Sequence, residues 1–222
     1  MTEVKDLKYD SFHSTSNAIL QQIDSKKRVL DVGCATGRLG EKMKNEKQCY
    51  VVGIEVDEKS SDAAKERCDK VIVANIEELE NIPFHLGYFN VMVFADVLEH
   101  LRAPEVVLRN LRKYLSDDGY VIASIPNVAN WTLRLKLLSG VWNYKKYGLL
   151  DKTHLRLFTL KTARELFEES GYKIQHVTCT SGNSYIDWRM PLKNPANVWK
   201  NLLACQFIIK ATKCRTIAPH HI

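Results

Sequence analysis

The sequence has no run of apolar residues approaching the roughly 20 needed to span a bilayer, and no apolar core follows a basic start in "MTEVKDLKYDSFHS". Neither a membrane-spanning segment nor a secretory leader is indicated, and the chain is expected in the cytoplasm. Its six cysteines include no C-x-x-C pair, so the spacing of a zinc ribbon or a disulfide framework is missing and they read as reduced core thiols. No internal repeat or low-complexity linker interrupts the 222 residues. Two nucleotide signatures are absent as well. There is no G-x-G-x-x-G, the turn that brings a pyrophosphate onto a helix N-terminus, and no Gly-Lys-Ser/Thr for a P-loop.

What is present is an alternation. Segments rich in Val and Ile ("RVLDVG", "CYVVGIEV", "KVIVAN", "FNVMVFAD", "GYVIASIPN") are separated by helix-length mixed segments ("GRLGEKMKNE", "EKSSDAAKERC", "APEVVLRNLRKYL"). This predicts βαβ units and a parallel sheet covered on both faces, a doubly wound α/β arrangement. The rhythm breaks over 128–159, where aromatic and basic residues follow no clear strand. That stretch is predicted to be an insertion into one domain spanning 1–222. Alternation resumes with "TLKTARELFEESG", a helix with Thr159 as N-cap and Gly171 past its end, and with strands near "YKIQHVTCT" and "ACQFIIKAT". Charge is lopsided: residues 1–127 carry 17 Lys+Arg against 21 Asp+Glu, whereas 128–222 carry 15 against 5. The basic part is either a solvated face or the side that meets an anionic partner.

The glycine turn in "RVLDVGCATGRLG" follows a strand, and Gly33 and Gly37 keep side chains away from whatever the turn binds. With Asp31 two residues before Gly33, the stretch resembles the first motif of class I S-adenosylmethionine (SAM)-dependent methyltransferases, (V/L)LD(V/I)GCGxG, with Ala35 in place of the middle glycine. The resemblance implies a mostly parallel, seven-stranded Rossmann-like sheet with an inserted helical cap, and SAM as cofactor. It places Asp31 toward the cationic end of SAM and Gly33, Cys34 and Gly37 around its methionine part. Glu55, closing the second strand, falls where the family holds the ribose hydroxyls, with Val56 beside it. Asn75 takes the position of an acid that bonds the adenine amino group, Ile76 packs on the ring, and Ala95 ends the fourth strand in the same crevice. An acid about 20 residues past the turn also occurs in NAD-binding chains, so Glu55 alone does not discriminate.

The candidates for chemistry begin with "ADVLEHL". Asp96, Glu99 and His100 share a face if the turn is helical. They read as an N-cap with its capping-box partner, as a divalent-cation site, or as a frame for His100 as general base. The stretch resembles the E-x-x-E-H segment of ubiquinone-biosynthesis O-methyltransferases, which implies the cation. Within the insertion, "GLLDKTHLRLFT" resembles the "GxLDxTHLRFFT" of bacterial class I methyltransferases found alongside glycan-modifying enzymes. There His154 is a candidate base and Arg156 a candidate anion clamp, unless Asp151, Thr153 and Thr159 only organise the turn. Trp131, Tyr144 and Tyr147, interleaved with lysines and arginines, suit a sugar ring, a nucleotide base or a lipid-like tail. The insertion reads as a lid over the cofactor or as packing on the sheet edge, and residues 12–23 read as a further cap helix.

The expected reaction is methyl transfer to a small-molecule or sugar-containing acceptor, on oxygen rather than nitrogen. Two histidines stand near the expected pocket, and the Asn/Asp-Pro-Pro-Tyr of amide and base N-methyltransferases is missing after the fourth strand. Nucleic acid is the lesser expectation. Two alternatives stay open: a SAM-binding partner protein of the MetW type without its own turnover, and an RNA methyltransferase, which salt-sensitive RNA binding would reveal.

Overall fold

The computed structural model describes residues 14–146, 148–181, 184–186 and 202–214. Five strands rich in β-branched residues pair in parallel in the order β3-β2-β1-β4-β5: β1 (Arg28–Val32), β2 (Tyr50–Glu55), β3 (Lys70–Val73), β4 (Phe89–Ala95) and β5 (Leu115–Pro126). Beyond β5 the sheet turns antiparallel. β8 (Gln206–Lys213) lies between β5 and β6 (Tyr172–Ser181), and β7 (Ser184–Ile186) closes the edge. Seven strands match the expectation; β7 is an eighth, a three-residue partner to β6 too short to show any alternation in the sequence.

Both faces of the sheet are covered, and the two-residue period of each strand sorts its side chains between them. Leu30, Val32, Val52, Ile54, Met92 and Phe94 bury toward α4 (Pro104–Leu111) and α6 (Leu160–Glu169), against Leu108 and Phe167. Val29, Val51, Val91, Val93 and Ile122 bury on the other face, against Ile19 of α1 (14–21) and Leu39 and Met43 of α2 (Arg38–Lys47). Truncating one of the fully buried side chains, Phe94 for example, costs about 3–5 kcal/mol. Asp31 shares its face of β1 with Val29. It is therefore a carboxylate in the layer beneath α1 and α2.

Between β1 and β4 the strand order reverses, which opens a crevice at the carboxyl ends of these strands. α3 (Glu58–Lys65) follows β2, capped by the Asp57 carboxylate on the Ser60 N–H. α6 begins as expected, with Thr159 and Thr162 exchanging side-chain and backbone hydrogen bonds in a capping box. Gly171 follows it at φ 84°, a left-handed conformation that glycine adopts without steric cost. Among the described residues between β5 and α6 there is one helix, α5 (Trp131–Leu138), whose N-cap is Asn130.

Candidate active site

The glycine turn is shaped by its neighbours. Gly33 and Gly37 have φ of 69° and 75°, and a Cβ on Gly37 would meet the backbone of Ala64 in α3 at 2.9 Å. The turn is tied to β2: Gly33 and Cys34 donate their N–H groups to the Ile54 carbonyl, and Ala35 donates to the Glu55 carboxylate at 2.8 Å. The other Glu55 oxygen accepts from the N–H groups of Val56 and Asp57, both at 2.9 Å, so Glu55 closes the turn while facing the crevice. Cys34 turns inward. Its sulfur fills the space beside Gly53, and the hydrogen bond to Cys68, with burial, pushes its thiol pKa up.

Asp31 is 1% exposed, and its Oδ2 has no hydrogen-bond partner. Burial, followed by the charge of Glu55, raises its pKa to about 7. A buried, unsatisfied carboxylate at a strand end wants a cation, and the ammonium of the SAM amino-acid part supplies one. The residues present thus fit that cofactor. Farther along, the amide oxygen of Asn75 accepts from the Glu77 N–H and its nitrogen donates to Glu78, which leaves one lone pair for an adenine amino group. Ile76 packs half-buried against the core, and Val56 is exposed.

Asp96 departs from two expectations. It takes a left-handed φ of 56°, and its Oδ1 accepts from Ser124 Oγ at 2.5 Å and from Gln206 Nε2 at 2.7 Å. Gln206 in turn accepts from Thr15 Oγ1 of α1 at 2.5 Å. With its carboxylate drawn into the sheet, Asp96 caps nothing: the single turn Leu98–His100 starts at Val97 without a side-chain cap. Nor does it join the potential ligands. Glu99, His100 and His154 form that group, each offering an atom within 4.8 Å of the others, and among the described residues they are the one such cluster.

The insertion brings His154 there. Leu155 and Arg156 donate their N–H groups to the Glu99 carbonyl at 2.8 and 3.0 Å, and His100 Nδ1 lies 3.0 Å from the Thr153 carbonyl. Facing a carbonyl, Nδ1 must carry the proton, which leaves Nε2 as the ring nitrogen not engaged by Thr153. Both Glu99 carboxylate oxygens and His154 Nδ1 are buried without partners. Burial, and then the charge of Asp96, lifts the Glu99 pKa well above the carboxylate range. Burial, and then His100, lowers that of His154. The cluster is thus one deeply buried acid beside an imidazole held neutral.

The remaining candidates are dispersed. Arg156 spends its guanidinium on the Arg102 carbonyl. Asp151 holds its own turn through the Thr153 N–H and hydroxyl, the organising role that was its alternative. Trp131 and Tyr144 stand exposed on the cap, Ala95 is half-buried at the end of β4, and Tyr147 lies outside the described residues. Sequence reasoning missed Ser124, Gln206 and Thr15, which seat Asp96. A serine inside the apolar run "VIASI" was the only trace of them.

Over residues 7–177 the chain matches the family described as Methyltransferase domain. It is 32% identical over 130 residues to a ubiquinone biosynthesis O-methyltransferase of Marinobacter nauticus, covering 54% of each chain. A protein of the same name from Coxiella burnetii is 28% identical over 198 residues, covering 84% of this chain and 80% of the relative. The chain spans about half the length of the first curated relatives it matches. Among solved structures, a SAM-dependent methyltransferase of Thermotoga maritima superposes with a TM-score of 0.66 at 18% identity, covering 93% of this chain and 91% of the other.

Proposed function

The chain belongs to the methyltransferase-domain family as a class I, SAM-dependent methyltransferase, and we propose that it methylates a hydroxyl of a small-molecule or sugar-containing acceptor. The observation that carries the oxygen acceptor is the Glu99, His100 and His154 cluster. A hydroxyl needs its proton handled before it can attack a methyl group, more than a neutral amine does. An acid and two imidazoles beside the cofactor crevice provide for that.

In this reading Asp31 pairs with the cofactor ammonium, Glu55 with its ribose, and Asn75 with its adenine, while Gly33, Cys34 and Gly37 leave room for the methionine part. SAM supplies an electrophilic methyl on a sulfonium, and the chain aligns the acceptor with it and excludes water. The cap formed by the insertion does the excluding, pinned to Glu99 through Leu155 and Arg156.

The donor set fits a divalent cation: one carboxylate and two imidazoles, with the carboxylate and one imidazole nitrogen buried and unsatisfied. Glu99, His100 and His154 would hold it, with Asp96 as a nearby charge rather than a ligand. A cation there supplies Lewis acidity toward the acceptor hydroxyl. Without one, neutral His154 is the group able to take the proton.

The test is methyl uptake from SAM onto a panel of phenols, catechols and nucleotide-linked sugars, with and without a chelator, beside calorimetry with S-adenosylhomocysteine. Turnover on hydroxyl acceptors that chelation removes supports the cation; turnover that survives chelation but not His154→Ala assigns proton transfer to the imidazole. Turnover confined to amines or RNA overturns the oxygen reading.

A further inference from the structure

At the end of the sheet opposite the crevice, where β4 and β5 begin and β8 finishes, a cavity of about 610 Å³ opens beside the last turn of α4. The seven residues of β4 separate it from the crevice by about 20 Å. Arg109 reaches the cavity from α4, Arg112 and Lys113 from the residues that follow this helix, and Lys213 from the end of β8. Asp117 is the one acid in the lining. Gathering four cations around one carboxylate costs free energy through their mutual repulsion, and an anion in the cavity would relieve it.

The cations are oriented without being neutralised. Arg112 donates from Nε to the Gly171 carbonyl at 3.0 Å and from Nη2 to the Cys214 carbonyl, two bonds that fix the plane of the guanidinium. Lys113 donates to the Glu80 carbonyl at 3.3 Å and to Asn81 Oδ1 at 2.9 Å, and Arg109 donates from Nε to the Glu105 carbonyl at 3.2 Å. Every one of these acceptors is a neutral oxygen. Among the described residues, the ion pairs include none of Arg109, Arg112 and Lys113. Lys213 has a pair, with Asp117 at 3.3 Å, but that partner's side chain is 97% exposed, and water weakens the attraction. The carboxyl end of α4 accounts for Arg109, because cations there complement the helix dipole. It accounts neither for Arg112, which turns to Gly171 and Cys214, nor for Lys213, which arrives from another strand.

We propose that this cavity is a binding site for a small anion carrying two or more phosphate groups. A guanidinium held in a fixed plane matches phosphate oxygens two at a time, and the ammonium groups add point charges around it. Four cations against one carboxylate leave a lining charge of +3, which calls for an anion of several charges, and the volume is in the range of small-molecule sites. Nucleic acid fits less well: single strands are held by aromatic faces on which bases stack, and none of the lining residues is aromatic. The segment 215–222, next in the chain after Cys214, carries one Arg, two His and no Asp or Glu, so its side chains offer the cavity no counter-charge. This inference stands apart from the oxygen-acceptor reading and does not depend on it.

The experiment is calorimetric titration of the full chain with inorganic pyrophosphate, beside inorganic phosphate, in low salt with a chelator present. Pyrophosphate should bind at one site, about tenfold or more tighter than phosphate, and weaken as salt is added. Saturation with S-adenosylhomocysteine should leave that affinity unchanged, which separates the cavity from the cofactor crevice. Arg109→Gln with Lys113→Gln should weaken pyrophosphate by about tenfold, whereas Asp117→Asn should tighten it by about threefold, a gain that a damaged fold does not produce. S-adenosylhomocysteine binding by each variant reports that the fold is intact. Absence of pyrophosphate binding by the folded wild type, or equal affinity in the double variant, overturns the inference. So does loss of pyrophosphate on saturation with S-adenosylhomocysteine, or an RNA oligonucleotide that displaces pyrophosphate at a lower concentration of phosphate groups.

Discussion

His154 stacks edge-on against His100, ring centroids 4.9 Å apart and planes at 68°, although the two come from opposite sides of β5. The contact exists because the insertion folds back and donates to the Glu99 carbonyl. It shifts the ligand set from three neighbours on one turn to two of them plus a distant histidine. Zinc titration by calorimetry should therefore show one site in the wild type, weakened at least tenfold in Glu99→Ala and in His154→Ala. Asp96→Asn should keep the same stoichiometry. The reverse pattern, with Asp96→Asn losing the ion and His154→Ala keeping it, would restore the Asp96, Glu99 and His100 set.

Asp31 links affinity to pH. Its pKa of about 7 in the fold lies above the ordinary carboxylate value of 3.8, so its contribution to stability is present below about pH 4 and lost as pH rises through 7. Asp31→Asn should stabilise the unliganded chain at pH 8 by on the order of 2 kcal/mol in urea melts while abolishing S-adenosylhomocysteine binding. In the wild type, that affinity should rise about tenfold per pH unit from 5 to 7 and then level off. A flat profile would mean that Asp31 is ionised throughout.

Ala35 sits at φ 46°, the left-handed conformation where the methyltransferase motif has glycine, held there by its N–H on Glu55. An alanine in that conformation costs about 1–2 kcal/mol, partly offset by its lower entropy when unfolded. Ala35→Gly should consequently be neutral or stabilising by up to about 1 kcal/mol. Gly37→Ala should cost 2 kcal/mol or more, since its Cβ would press on the Ala64 backbone as well as requiring positive φ. Thermal melts of the two variants side by side decide it.

Thr159→Ala removes the N-cap of α6. It should lower stability by about 1 kcal/mol, a fall in Tm of about 2–4 °C, and leave S-adenosylhomocysteine affinity unchanged. A loss of affinity would show that α6 and the cap above it act on the site together.

The parallel half of the sheet was legible because it is buried on both faces and its strands are short runs of Val and Ile between helices. Thr159 and Gly171 were legible too, since caps are written in local chemistry. The fate of Asp96 was not. D-x-x-E predicts a cap from four residues, but the carboxylate answers to Ser124 and Gln206, which arrive from strands far along the chain. β7 and the partnership of His154 with Glu99 escaped for a similar reason: long-range pairing decides them, and no local pattern announces it.

β8 comes after β6 and β7 in the chain but lies between β5 and β6 in the sheet. Until it arrives, β6 and β7 have no edge to join, and the bond from Thr15 to Gln206, spanning 191 positions, cannot form. Asp96 then lacks one of its two side-chain donors. On a chain emerging N-terminus first, the five parallel strands can assemble early while β6 and β7 wait for residues 206–213. The seating of Asp96 is thus among the last steps to be completed, and a chain stalled short of β8 would carry Glu99, His100 and His154 with Asp96 not yet held by Gln206.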